Sequence, residues 1–257
     1  MTTMTWWGHS CVRLDGPGGA LVIDPGAFSD SASALAGAEA ILVTHEHVDH
    51  VDVEPVAAAV TGGARLWSTA AVVELVAAAG APADRLTVVA SGDTIDVAGF
   101  TVRVMGERHA VVHADVPGIA NVGYLVGGML HPGDGFAAVS ADVDLLLVPV
   151  SGPWLRLGEA IDWARSVAPR RVMPIHDGLL NERGQALSRR LLALAGGELV
   201  TPAVGERVAL PGTHDPHDDV PELEYDETVP PRPEEEIADV ARSVPDPQGH
   251  GGAPSSD

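Results

Sequence analysis

Residues 45–50 read His45-Glu46-His47-Val48-Asp49-His50, three histidines and one aspartate within six positions. They follow directly on Ala40-Ile41-Leu42-Val43, an apolar run that reads as a buried strand. Burying unpaired imidazoles and a carboxylate costs several kcal/mol, roughly 2 or more for each polar group, unless something binds them. A cation is the simplest partner. Zinc and similar divalent ions take imidazole nitrogen and carboxylate oxygen, and their catalytic sites keep a position open for water. In an extended segment the side chains of His45 and His47 project to the same side, so one ion can take both, while Asp49 and His50 turn away around the loop. One motif thus accommodates two metal positions, and neighbouring ions need further ligands, including a carboxylate that bridges them.

Three later segments offer such groups, each at the end of an apolar run: Arg108-His109-Ala110, His131-Pro132-Gly133-Asp134-Gly135, and Met173-Pro174-Ile175-His176-Asp177-Gly178. His109 and His113 share one loop and compete for a single ligand position. His109 is favoured because it stands closer to the strand end and precedes the small Ala110.

Taken together, these segments resemble the metallo-β-lactamase superfamily, whose H-x-H-x-D-H motif is matched in full by His45, His47, Asp49 and His50. The resemblance covers roughly residues 4–180 and implies an α/β (α+β) fold, a four-layer αββα sandwich with metals at one edge of its two sheets. It further implies that His45, His47 and His109 hold a first ion, that Asp49, His50 and His176 hold a second, and that Asp134 bridges them. The segments Trp7-Gly8-His9-Ser10-Cys11 and Ile23-Asp24-Pro25-Gly26 are similar to the small branch that includes L-ascorbate-6-phosphate lactonase. Gly133-Asp134-Gly135 departs from the Gly-Asp-Thr usual there, and Pro149-Val150-Ser151-Gly152-Pro153-Trp154 stands where a glycine-rich loop is common.

The expected chemistry is metal-assisted hydrolysis. A water bridging two ions loses a proton near neutral pH and attacks a carbonyl carbon or phosphorus. Asp49 orients the nucleophile, and His113 or His9 protonates the leaving group. His9 has an equally good structural reading, as a histidine in a strand turn. His131 reads as a support for the Asp134 loop, and Asp24 as a carboxylate that orients backbone or a ligand histidine. Cys11 reads as a small core residue, while Trp154, Phe28 and Arg108 are candidates for the pocket wall. Two divalent ions are expected, zinc first, with manganese or iron suited to the same donors. The leading substrate class is a small ester, lactone or phosphodiester metabolite. The runner-up is a nucleotide or lipid-headgroup phosphodiester, with Arg103, Arg108 and Arg156 as anion contacts. A non-catalytic metal-binding or regulatory protein with a partner-docking tail is the alternative of another class.

Short apolar runs that must carry these groups predict strands at 3–7, 10–14, 20–23, 40–43, 65–68, 94–97, 101–105, 121–126, 145–148, 171–174 and 207–210. Alanine-rich stretches predict helices at 55–60, 70–79, 157–168 and 186–195. Gly16-Pro17-Gly18-Gly19 reads as a hairpin turn. Strands mixed with helices favour a two-layer sheet core with helices outside over an all-parallel arrangement. No dinucleotide or P-loop glycine pattern appears.

The 257 residues are 46% hydrophobic, enough for a sizeable core, and carry a formal net charge of −21. All 15 cationic residues are arginine. So acidic a chain lacks a counterion-releasing surface, which argues against nucleic acid as a partner and leaves a small-molecule substrate. A single cysteine and no basic-plus-apolar leader point to the cytoplasm, and no apolar run approaches the length of a membrane span. From Pro211 onward the composition shifts to nine prolines and thirteen acidic residues against two arginines. This predicts a hydrolase domain over 1–210 and a disordered acidic tail over 211–257. The tail histidines His214, His217 and His250 are expected to stand apart from the site, and the sequence leaves the oligomeric state open.

Overall fold

The computed structural model describes residues 2–210, so the predicted tail lies outside the described residues. The first half contains β1 (Thr2–Trp6), β2 (Val12–Gly16), β3 (Gly19–Ile23), α1 (Ser31–Leu35), β4 (Ala40–Leu42), α2 (Val53–Thr61), β5 (Arg65–Ser68), α3 (Ala70–Ala78) and β6 (Leu86–Val88). The second contains β7 (Thr94–Val97), β8 (Phe100–Met105), β9 (Gly123–Val126), β10 (Met129–His131), β11 (Leu145–Pro149), α4 (Leu157–Val167), β12 (Arg171–Ile175), α5 (Glu182–Leu192) and β13 (Glu198–Leu199). A last strand, β14 (Arg207–Leu210), returns to the first sheet beside β1.

Two seven-stranded sheets result, in the orders β14-β1-β2-β3-β4-β5-β6 and β13-β12-β11-β10-β9-β8-β7. Each is antiparallel through its hairpins and parallel beyond them, from β3 to β6 and from β10 to β13. Hairpins need only a tight turn, whereas parallel neighbours need a crossover. The helices fall accordingly between the parallel strands.

The parallel strands are apolar on both faces because both are covered. Along β3 and β4, Leu21, Ile23, Ala40 and Leu42 point into the sandwich and meet Tyr124, Met129, Leu145, Leu147 and Met173 of the opposite sheet. The alternate residues Val22 and Ile41 meet Val56, Val60, Val72 and Val76 of α2 and α3. On the second sheet Leu146, Val148 and Val172 likewise face Ala160, Ile161 and Trp163 of α4 and Leu192 of α5. The layers are therefore helix, sheet, sheet, helix, the αββα order. Cys11 packs in the first helix-facing core, and burial pushes its thiol above the ordinary range, as befits a core residue. Among the described residues no helix is long and apolar enough to cross a membrane.

Most expected elements appear within one to three residues of their predicted bounds. The helix expected at 186–195 begins instead at Glu182, where Asn181 caps it by accepting from Gly184 N–H at 3.0 Å, and its last three residues tighten into a 3₁₀ turn. Apolar periodicity starts only at Ala186, so the exposed polar first turn left no hydrophobic trace. α1, β6, β10 and β13 were not expected, and each has five residues or fewer. Of these only β10 carried a readable signal: Gly127 and Gly128, with φ of 57° and 76°, close the β9–β10 hairpin.

Candidate metal centre

Six strands deliver the polar residues to one edge. Just past the C-terminal ends of β1, β3, β4, β8, β10 and β12 come His9, Asp24, His45, His109, Asp134 and His176. Chain direction explains this convergence, since parallel strands with crossovers place equivalent ends together. Tyr124, fully buried between the sheets, donates from its hydroxyl to the Val43 carbonyl at 2.8 Å and so pins the backbone from which the motif departs.

The side chains form two groups, His45, His47, His109 with Asp134, and His9, Asp49, His50 with His176. Within each, one potential ligand atom per residue lies within 4.8 Å of all the others. Asp134 stands between them: its Oδ2 is 3.3 Å from His109 Nε2 and 3.1 Å from His176 Nε2, and its Oδ1 is 3.2 Å from His50 Nε2. All seven residues expected as ligands are thus brought together. His113 is not among them. It sits in the exposed part of its loop with its side chain 67% accessible, Nδ1 3.5 Å from Asp115.

Hydrogen bonds on the far side of each ring decide which nitrogen faces inward. His50 Nδ1 lies 2.6 Å from Asp24 Oδ2, so in the neutral ring the proton stays there and Nε2 is the nitrogen left for a cation. His109 Nδ1–H donates to the Ala110 carbonyl at 2.6 Å, with the same result. The Thr44 hydroxyl donates to Asp24 Oδ2 at 2.8 Å and can therefore only accept from His45 Nδ1–H at 3.0 Å, which bares His45 Nε2. His9 is the opposite case. The Gly178 N–H donates to its Nδ1 at 3.0 Å, so the proton sits on Nε2 and is given to Asp49 Oδ2 at 3.2 Å. A nitrogen holding a proton offers no lone pair. His9 is near enough to ligate, but its tautomer makes it a hydrogen-bond donor to Asp49.

Electrostatics in the site are strongly coupled. Burial alone would depress the His50 imidazole, but the carboxylates of Asp134 and Asp24 hold it well above its ordinary value. Against the same effect of burial, the carboxylates of Asp134 and Asp49, 3.1 and 3.2 Å from its Nε2, push His176 up to about 9. Burial, reinforced by the neighbouring His50, takes His45 well below 6.5. Burial also lowers His9, against its hydrogen bond to Asp49. The site is thus a cluster of carboxylates whose counter-charge falls on imidazoles, and a cation binding there displaces those protons.

Whether a metal fits can be read from the unsatisfied atoms. His50 Nε2, His109 Nε2, Asp134 Oδ1 and both nitrogens of His176 are buried without a hydrogen-bond partner. Orphaned buried polar atoms are rare, a few per hundred residues. Five of the ten such side-chain atoms among the described residues belong to this one centre of imidazole and carboxylate donors, the set that divalent zinc, manganese or iron takes.

The supports are equally specific. Asp24, fully buried at φ 52°, accepts from Thr44 N–H, from the Thr44 hydroxyl and from His50. His9 and His176 share its left-handed backbone at φ 49° and 57°, so three of the five non-glycine residues with positive φ among the described residues belong to the site. His131 donates to the Ser10 carbonyl and accepts from Gly133 N–H, tying down the Asp134 loop. Asn121 accepts from Asp134 N–H at 2.9 Å and donates to the Pro132 carbonyl at 2.9 Å. Nothing in the sequence marked Asn121. Trp154 does more than line a wall, since its indole N–H donates to Asp134 Oδ2 at 3.0 Å.

A Cβ on Gly26 would overlap the carbonyl carbon and oxygen of Asp49. The Gly26→Ala variant is therefore expected to displace the Asp49–His50 backbone at a cost of about 3 kcal/mol or more. Thermal melts should fall by roughly 6–12 °C, with metal content reduced; an unchanged melt and metal content would show that the loop yields freely.

A profile of the family described as the beta-lactamase superfamily domain matches residues 3–176. Protein Rv0786c of Mycobacterium tuberculosis is 37% identical over 185 residues, covering 69% of this chain and 84% of that protein. A UPF0173 metal-dependent hydrolase of Myxococcus xanthus is 29% identical over 237 residues, covering 81% of this chain and 84% of the relative. Among solved structures, the metallo-β-lactamase fold protein YhfI of Bacillus subtilis superposes with a TM-score of 0.63 at 15% identity, over 81% of this chain and all of that one, a likeness of fold.

Proposed function

The chain belongs to the metallo-β-lactamase superfamily, and from that premise we propose that it is a binuclear metal-dependent hydrolase of small ester, lactone or phosphodiester metabolites. The observation that carries this reading is the convergence of Nε2 of His50, His109 and His176 and Oδ1 of Asp134 on one buried centre, none of them with a hydrogen-bond partner.

In this reading His45, His47 and His109 hold the first ion, Asp49, His50 and His176 hold the second, and Asp134 serves both. Divalent ions held there, zinc first and manganese or iron next, supply Lewis acidity, lowering the pKa of water toward neutrality and polarising the bond to be cut. Asp49, whose side chain keeps 15% of its surface accessible, receives and orients the attacking water. His9 gives its single ring proton, on Nε2, to Asp49 and so positions that carboxylate instead of protonating the leaving oxygen. His113, exposed and apart, has no role in this scheme.

Metal analysis of the purified protein is expected to return two ions per chain. Dialysis against a strong chelator should abolish hydrolysis of p-nitrophenyl esters, and the melting temperature should drop. An ion present at a thousand times its dissociation constant contributes about 4 kcal/mol of stability. Added zinc should restore both properties. Turnover that survives complete metal removal would refute the proposal.

A further inference from the structure

Among the described residues, six of the eleven exposed large apolar side chains, Phe28, Val48, Val111, Val112, Val116 and Leu179, lie on the four loops that carry site residues. Their placement follows the site closely. Val48 stands between His47 and Asp49, Val111 lies two positions after His109, and Leu179 lies three after His176. The Phe28 ring is edge-on to His9 at 5.3 Å between centroids. Val111 is 76% exposed and Val48 62%, an arrangement that costs solvation unless something apolar covers it.

Charge narrows the occupant. Arg108 is the one arginine on these loops, and it borders a separate cavity of about 430 Å³ with Phe136 and Trp163, bordered by none of the eight residues in the two groups. Arg156, at the foot of the Trp154 loop, is paired with Glu159 at 3.0 Å. The other charged groups on the four loops are acidic, among them Glu46, Asp115 and Asp177. A substrate anion would find no guanidinium there, and a net charge of −21 repels anionic surfaces.

We propose that the rim binds the alkyl or aryl portion of an uncharged ester or lactone whose carbonyl is presented to the metal centre. This rests on the hydrolase reading and selects, within it, neutral apolar esters over phosphodiesters. In the reaction the oxygen of water bonds to the carbonyl carbon and the acyl C–O bond breaks. One proton of the water passes to the leaving oxygen and the other is released with the acid product. The rim supplies binding and plays no part in bond making.

The test uses the metal-loaded full chain of known metal content. On p-nitrophenyl acetate, butyrate, hexanoate and octanoate, kcat/KM should rise about twofold per methylene, short of the roughly fourfold of full burial, and exceed that on bis-(p-nitrophenyl) phosphate at least tenfold. Calorimetric titration with 1-butanol to 1-octanol should show the same slope in affinity. The double variant Val111→Ser/Val112→Ser should flatten both series while leaving acetate turnover and metal content unchanged. A flat series, or preference for the phosphodiester, overturns the proposal while the hydrolase reading stands. No turnover on any substrate at full metal content overturns the hydrolase reading, and the alcohol series still judges the rim. Were the double variant to convert a sedimenting dimer to monomer without altering either series, the rim would be a subunit interface.

Discussion

Asp134→Asn is expected to empty the centre of metal and lower ester hydrolysis by about a thousandfold, roughly 4 kcal/mol of transition-state stabilisation. Asp134 is 1% exposed, and its two oxygens approach His50 on one side and His109 and His176 on the other, so one carboxylate serves both groups. Asparagine keeps the shape but loses the charge, and it turns N–H groups toward imidazole nitrogens that other hydrogen bonds have stripped of protons. Mass spectrometry should then find less than one ion per chain, against the two expected for the unmodified protein. Trp154→Phe provides the graded comparison. It removes the 3.0 Å indole hydrogen bond to Oδ2 and keeps a ring to pack near His109, whose centroid lies 5.5 Å from that of the indole. Losing one such orienting bond commonly costs 10–100-fold in metal affinity. Equal affinity in wild type and Trp154→Phe would reduce the indole to packing, and two tightly held ions in Asp134→Asn would remove Asp134 from the shared position.

The legible part of this site was the part written locally. His45 to His50 announced themselves because four donors in six positions after an apolar run are costly to bury without a cation. The strand before His176 was readable because burial on both faces leaves the apolar run 172–175, and the strand before His109 because buried Val102 and Val104 alternate with exposed Thr101 and Arg103, whereas the three-residue β10 before Asp134 was too short to show a pattern of its own. What was hidden depended on distant chain segments. The tautomer of His9 is set by the Gly178 N–H, 169 residues away, and the grip on Asp134 comes from Asn121 and Trp154, neither of which bears a ligand signature. Short edge elements such as the two-residue β13 left no periodic trace because their pairing is imposed by neighbours. Phe28 was a candidate for the pocket wall, but the apolar rim as a whole is visible only once the loops are seen to share an edge.

Asp24→Asn is the second substitution with a large expected effect, and it acts without touching a metal position. Asp24 accepts from Thr44 N–H through Oδ1, and from the Thr44 hydroxyl and His50 Nδ1–H through Oδ2. Asparagine tolerates the left-handed backbone at φ 52°, so strain is not the cause. Its carbonyl can take the Thr44 N–H, which leaves the amide NH₂ facing the hydroxyl and His50. The His50 ring must then accept at Nδ1 and move its proton to Nε2, the nitrogen that faces Asp134 at 3.2 Å. A protonated Nε2 cannot ligate. The second ion should bind 10–100-fold more weakly, and removing one charge from a fully buried pair should cost about 3 kcal/mol, roughly 6–12 °C in the melt. Nitrogen-15 spectra of the histidine rings provide the decisive readout, because a merely loosened fold would weaken metal binding without moving the His50 proton from Nδ1 to Nε2. Unaltered His50 resonances together with two tightly held ions would show that Asp24 does not set the tautomer.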